Sequence, residues 1–355
     1  MNELIDSSEA LRKAVLRLAG ATGLVPLAKP FLGGVGAILM LHSVTARTGS
    51  SNDFNAHLTI TPQFLDRLLT SMKQQDYEFV SMDEAVARLH SHAGGSRFAA
   101  ITLDDGYRDN MTEALPIFEK HETPFAVYVA PALIDGTVDL WWEIIADVVR
   151  SRDLIYLTTS NGRVTLDSSN PAKKTASLKK LYEYLTIDVS EAEQQRVVRE
   201  IAETACVDIE KLRSNRLLNW DEIRMLSAHP LATIGAHTVS HRNLARLDEA
   251  EARREIRDAG RIIASEIGVN PSHMAYPYGF AAAVGRREVE LAKEAGFVSA
   301  VTTRHGVLRR GHGRHLQALP RISVNGRYQQ LSHLKTMLSG ITTPLANAGK
   351  VLVTV

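Results

Sequence analysis

Cysteine is nearly absent from this chain. Cys206 is the only one in 355 residues, so no disulfide can form within the chain and a reducing compartment is permitted. Long apolar runs are missing too: nothing approaches the roughly 20 consecutive apolar residues that span a bilayer, so no transmembrane segment is expected. An excess of one charge is also lacking. With 41 Lys and Arg against 40 Asp and Glu, the net charge of +1 argues against bulk attraction to nucleic acid or to an anionic membrane. The opening residues lack the pattern of a secretory leader. Glu3, Asp6 and Glu9 precede any apolar run, Arg12, Lys13 and Arg17 fall in an amphipathic helix expected at 7–19, and Lys29 interrupts the apolar residues beyond it. A cytoplasmic location is the expectation. There is neither an internal repeat nor a low-complexity segment. One local exception to the charge balance stands out: residues 302–321 hold Arg304, Arg309, Arg310, Arg314 and Arg321 with three histidines and no acid. Either a solvated loop or contact with an anionic part of a substrate accounts for such a run.

What the chain does have is apolar material, 45% of its residues, ample for a large core. Strand-like runs recur at 36–41, 77–81, 98–103, 124–130, 231–236, 273–276, 297–302 and 318–324. Helical patterns at 62–75, 109–121, 248–267 and 284–295 separate most of them. This alternation predicts an α/β protein with a parallel sheet or barrel, whose functional groups gather at the carboxyl ends of the strands. Between Asp139 and Asn219 the rhythm gives way to a mostly helical stretch with a hairpin expected at 154–166, bracketed by Trp141, Trp142 and Trp220. Tryptophans there could stack on sugar rings or simply pack the insertion on the barrel.

The most informative stretch is Thr102-Leu103-Asp104-Asp105-Gly106, at the end of the apolar run 98–101. Neighbouring side chains on a strand face opposite ways, but a turn beginning at the second acid lets both carboxylates reach one pocket. One can then hold a metal while the other handles protons. Asp-Asp-Gly is also ordinary turn chemistry, and what tips the balance lies downstream. His237 and His241 come after the apolar segment 231–234, and a spacing of four puts both imidazoles on one side of a helical turn, able to meet one ion. With an acid from another strand end they make a three-ligand site with open positions. A third segment, Ala275-Tyr276-Pro277-Tyr278-Gly279, ends another strand with two aromatic rings in a Pro- and Gly-fixed loop.

Together these segments resemble the polysaccharide deacetylase family, the NodB-homology or carbohydrate esterase type, over roughly residues 36–325. Its Thr/Ser-Phe-Asp-Asp-Gly, His-Ser/Thr-x-x-His and Arg-x-Pro-Tyr/Phe motifs correspond to 102–106, 237–241 and 275–278. Two departures stand out. Leu103 replaces a Phe, and Ala275 replaces the arginine that orients the catalytic aspartate, with Arg321 the candidate substitute. The family's Leu-x-His motif, source of the general acid, has two candidates, Leu39-Met40-Leu41-His42 and Leu331-Ser332-His333. His42 fits better because it ends a buried strand, and a histidine on the first strand is similar to the circularly permuted branch that includes poly-N-acetylglucosamine deacetylases.

The resemblance implies a distorted (β/α) barrel of about seven parallel strands in two pieces, 36–138 and 218–325. An N-terminal helical extension at 1–35, a mostly helical insertion at 139–217 and a C-terminal helix and tail at 326–355 would flank it. It further implies a metal-dependent carbohydrate N-deacetylase. Asp105, His237 and His241 would bind a divalent metal, zinc by expectation, Asp104 would act as general base and His42 as general acid. A backbone N–H near Tyr278 would receive the oxyanion, and Tyr276, Pro277, Tyr278, Trp141, Trp142 and Arg321 would contact substrate or its surroundings. An amino-sugar oligosaccharide or glycan precursor is the expected partner, with no role for nucleic acid. Two alternatives stay open: a hydrolase of a non-sugar amide or ureide on the same fold, and a non-catalytic carbohydrate-binding relative.

Overall fold

The computed structural model describes residue 16 and residues 24–46, 54–91, 95–160 and 162–355. Apart from Leu16, the amphipathic helix expected at 7–19 lies outside the described residues. The frame is set by runs such as Gly-Ala-Ile-Leu-Met-Leu and Phe-Ala-Ala-Ile-Thr-Leu, which have no charge on either face and so can sit only where both faces are covered. They form β1 (Gly36–Leu41) and β5 (Phe98–Leu103), buried throughout and paired in parallel along their whole length. The intervening strands are short: β2 (Ser43–Val44) pairs with β3 (Thr59–Ile60), and β4 (Glu78–Phe79) lies beside the first half of β5. Next come β6 (Phe125–Val129), β7 (Leu154–Thr159), β8 (Gly162–Asp167), β9 (Ala232–Ala236), β10 (His273–Ala275), β11 (Ser299–His305) and β12 (Leu319–Ser323).

Seven of them, β1, β5, β6, β9, β10, β11 and β12, pair in that cyclic order, all parallel, and β12 returns to β1 to close a barrel. Closure removes open strand edges and sends every carboxyl end to one face. Inside, Ile38, Phe98, Ala100, Ala126, Tyr128, Ala275, Val301 and Leu319 form a core separate from the larger one under the helices. The small side chains of Ala100, Ala126 and Ala275 leave this interior room for a guanidinium, a point on which the site depends. At Gly235 of β9 a Cβ would stand 2.5 Å from the Tyr128 ring, so only glycine permits that approach.

The connection from β6 to β9 carries helices Trp141–Ser151, Pro171–Glu183, Glu191–Thr204 and Ile209–Arg216. It also carries the β7–β8 hairpin, whose antiparallel register runs from Leu154 opposite Asp167 to Thr159 opposite Gly162. Asn161 of its turn lies outside the described residues.

The acid-free run 302–321 is neither a solvated loop nor a substrate contact over most of its length. Arg304 donates to the carbonyls of Thr354 and Val284, Arg309 to those of Phe31 and Leu32, and His312 is buried between Arg309 N–H and the Val353 carbonyl. These side chains pin the residues just before β1 and the C-terminal tail by filling their carbonyls. Because His312 Nδ1 accepts from Arg309 N–H, a proton there has no room, and burial pushes the imidazole down to about 4. The unfolded chain takes up that proton near pH 6.5 and the folded one near 4. Stability is therefore complete above pH 6.5, falls as pH drops through that window and is lower by about 3 kcal/mol below it. Urea titrations from pH 7.5 to 4.5 should show the decline in the native protein and a shallower one in His312→Asn.

Candidate active site

The polar residues of the site come from four barrel strands: His42 follows β1, Asp104 and Asp105 follow β5, His237 follows β9, and Arg321 lies within β12. The Thr102-Leu103-Asp104-Asp105 strand end turns at once into left-handed backbone, with φ of 73° at Asp105 and 70° at Gly106. Glycine tolerates this freely and aspartate far less, so both acids are delivered to one side of the barrel mouth at the expense of local strain. Thr238 (58°), His241 (53°) and Tyr278 (62°) share that unusual conformation, so strained residues cluster where the chemistry would be.

Arg321 is the residue that holds Asp104. Its two terminal nitrogens each donate to one Asp104 oxygen at 2.7 Å, Nη1 also reaches Thr102 Oγ1 at 3.1 Å, and Nε donates to the Thr302 carbonyl at 2.9 Å. The arginine rises through the barrel interior and is fully buried, as is its partner. Burial alone would raise the Asp104 carboxyl, but the charge and hydrogen bonds of Arg321 outweigh it and keep Asp104 below the ordinary carboxylate range. His42 Nε2 stands 3.9 Å from Asp104 Oδ2, and burial pushes its imidazole below its usual value against the pull of both aspartates. The rival histidine, His333, sits in helix Leu331–Leu338 against the Tyr328 ring.

Asp105 Oδ1 lies 3.4 Å from His237 Nε2 and 3.3 Å from His241 Nε2, and the three potential ligand atoms fall within 4.8 Å of one another. Among the described residues Asp105 Oδ1 is buried without a well-formed hydrogen bond, so the oxygen and two nitrogens are turned toward a shared centre rather than satisfying each other. Burial would raise the Asp105 carboxyl, and the two imidazoles outweigh it, holding it well below the usual range. His237 Nδ1 is paired with the Ala275 carbonyl at 2.7 Å, which leaves Nε2 its lone pair for an ion. The donor set, one carboxylate and two imidazoles, fits a borderline divalent ion such as zinc.

The route from sequence to this geometry differs from the expected one in two places. His237 and His241 do not share a helical turn, because Thr238 and His241 are left-handed. The carboxylate of Glu255, in helix Glu249–Ile267, accepts from Val239 N–H at 3.0 Å and Ser240 N–H at 2.8 Å, and from Ser240 Oγ. That glutamate replaces the helix as the scaffold of the pair. Glu255→Ala is expected to weaken metal affinity by about tenfold to a hundredfold, read by competition with a chromogenic chelator. Unaltered affinity would mean that the turn holds itself.

The second difference concerns the aromatic residues. Tyr276 is fully buried with its hydroxyl on the Gln317 carbonyl at 2.9 Å, and Pro277 is buried beside it. Trp142 donates to Tyr107 Oη at 2.8 Å, which in turn bonds Glu143 Oε1 at 3.1 Å, and its ring centroid lies 4.8 Å from that of His241. Trp141 packs edge-on against Trp142 and Tyr182. Both tryptophans are 6% exposed, so neither offers an open ring face. Tyr278 covers His241 from another side at 5.4 Å. Trp141, Trp142 and His241 contribute to the wall of a cavity of about 260 Å³ between the insertion and residues 240–242.

Sequence reasoning also passed over Asp109 and Asn110. Asp109 accepts from Ser43 Oγ at 2.5 Å and Val44 N–H at 3.0 Å, and Asn110 donates to the His42 carbonyl at 2.7 Å, so the two fix the loop that carries His42. Burial raises Asp109 to about 6. Their only signal was nearness to the acidic pair in sequence.

A model of the polysaccharide deacetylase family matches residues 92–300, which takes in Asp104, Asp105, His237 and His241 but neither His42 nor Arg321. No curated protein matches the sequence. Among solved structures, the Streptococcus pyogenes deacetylase PplD in complex with acetate is 19% identical, with 85% of this chain and 97% of that one covered at a TM-score of 0.52. A de-N-acetylase from Aggregatibacter actinomycetemcomitans is 15% identical, with 85% and 99% covered and a TM-score of 0.55. IcaB from Ammonifex degensii is 17% identical, with 86% and 97% covered and a TM-score of 0.53.

Proposed function

The chain belongs to the polysaccharide deacetylase family, and from that premise we propose that it is a metal-dependent hydrolase removing N-acetyl groups from an amino-sugar-containing saccharide. The observation that carries the reading is the adjacency of two differently employed carboxylates. Asp104 is gripped in a plane by Arg321 beside His42, while Asp105 faces two imidazoles with an unpaired oxygen. A divalent ion held by Asp105, His237 and His241 would polarise the acetamide carbonyl and lower the pKa of water at the site.

In this reading Asp104 takes the proton of the water that adds to the carbonyl carbon. Its orientation is set by the Arg321 fork, and ionisation is favoured there. A backbone N–H near Tyr278 is the donor assigned to the developing oxyanion. His42 gives a proton to the nitrogen as the C–N bond breaks, leaving acetate and a free amine. Trp141, Trp142 and Tyr276 are buried and form no open aromatic groove, so it is the expected cytoplasmic location that favours an oligosaccharide or glycan precursor over a finished extracellular polymer. Cytoplasmic residence belongs to the same proposal, and cell fractionation tests it.

Acetate release from N-acetylglucosamine oligomers should appear with metal-loaded protein, vanish on chelation and return with added zinc. Turnover of a small cyclic ureide with no acetate from any oligomer would transfer the site to the non-sugar reading. No turnover of either substrate by metal-loaded protein would leave the binding-protein alternative.

A further inference from the structure

The chain from Leu41 to Val44 carries His42 out of the barrel mouth, and each of its residues is bonded to the segment 104–110 that follows β5. The Leu41 carbonyl accepts from Asp104 N–H at 3.0 Å, and the His42 carbonyl accepts from Asn110 Nδ2 at 2.7 Å. Ser43 Oγ donates to Asp109 Oδ2 at 2.5 Å, and Val44 N–H donates to Asp109 Oδ1 at 3.0 Å. Asn110 Nδ2 also reaches Asp109 Oδ1 at 3.2 Å, which ties the two clamping side chains together. Asn110 and Ser43 are buried, so water does not compete for these bonds. Asn110 also opens a π-helical turn, Asn110–Ala114, a rare geometry that recurs at functional sites.

The His42 imidazole itself has no comparable support. Arg321 grips Asp104 through both carboxylate oxygens, and the Ala275 carbonyl pairs with His237 Nδ1. Among the described residues no group hydrogen-bonds the His42 ring, whose Nε2 stands 3.9 Å from Asp104 Oδ2. The place of the ring is therefore set by its backbone. Of the four bonds that hold this backbone, only the one between Leu41 and Asp104 is made by main-chain atoms alone. The other three depend on the side chains of Asp109 and Asn110.

We propose that Asp109 and Asn110 are positioning residues for proton donation, holding the His42 backbone in the register that brings its imidazole to the departing nitrogen. This rests on the reading of His42 as the general acid. The segment 104–110 then carries the base and a metal ligand and also sets the reach of the acid, so one turn fixes the group that takes a proton from water against the group that returns one to nitrogen. The chemistry makes this separable from a merely structural role. An amide C–N bond breaks only as its nitrogen gains a proton, because an amide anion is too basic to leave. A nitrophenyl ester breaks without that proton, because nitrophenolate leaves unaided. Displacing His42 by about 1 Å should therefore slow the amide and spare the ester.

The test compares acetate release from N-acetylglucosamine oligomers with hydrolysis of para-nitrophenyl acetate by the full zinc-loaded chain. Asn110→Ala and Asp109→Ala should each lower kcat on the oligomer by about tenfold to a hundredfold, with KM, zinc content and ester hydrolysis unaltered. Asp109→Asn keeps an oxygen for Val44 N–H and should recover most of the rate. Ser43→Ala removes a single hydroxyl and should show the same selective loss at smaller size, which keeps the test alive if Asn110→Ala does not fold. In a His42→Ala background, Asn110→Ala should cost nothing further on the oligomer, since no acid remains to position. Equal losses on the two substrates, additive losses with His42→Ala, or full oligomer turnover by all of the variants overturns the proposal. Ester hydrolysis by the native chain with no acetate from any oligomer instead refutes the deacetylase reading, and the proposal falls with it.

Discussion

Asp104→Asn is expected to lower kcat by about a thousandfold, with metal content unaltered. The substitution keeps the shape of the side chain and one oxygen for the Arg321 fork, but an amide cannot accept a proton from water at neutral pH. Among the described residues the Asp104 carboxylate hydrogen-bonds only Arg321, whereas Asp105 is the acid facing both imidazoles. A clean loss of the base should therefore appear as a fall in kcat with little change in KM. Zinc stoichiometry by elemental analysis and single-turnover acetate release would check it together. Near-native turnover by zinc-loaded Asp104→Asn would sink the base assignment, while zinc loss in the variant would mean that the two carboxylates are less separate than their contacts indicate.

The barrel was legible in the sequence because its strands are buried on both faces and so read as apolar runs bounded by turns. The seven strands that close it each overlap an expected run. Boundaries were less legible where tertiary contacts set them: β11 begins at Ser299, because Phe297 is drawn under Gly260 of the neighbouring helix, and runs on to His305. The candidate metal-binding trio was legible as residue types at strand ends, but its scaffold was not. A spacing of four suggested a helix, and only the fold could bring Glu255 back to clamp the turn. The aromatic residues were less legible for a related reason: Tyr276, Trp141 and Trp142 carry the same letters whether they face a ligand or a core, and only the fold shows that all three are buried.

Arg321→Met is expected to cost about 3–5 kcal/mol of stability and on the order of a hundredfold in kcat, because it leaves a buried carboxylate without its counter-charge. The loss should exceed that of a surface pair, worth about 1 kcal/mol or less, since both partners are essentially inaccessible and joined by two hydrogen bonds. Arg321→Lys should recover part of the stability and little of the rate, because an ammonium is a point charge and cannot hold both carboxylate oxygens in one plane. The double variant with Asp104→Asn separates structure from chemistry. Removing the uncompensated charge should restore much of the stability lost in Arg321→Met, while activity stays at the level of Asp104→Asn alone. Two losses that simply added in kcat would mean that Arg321 does not act through Asp104. The vacancy left by Ala275 on β10 would then have to be filled from elsewhere in the barrel mouth.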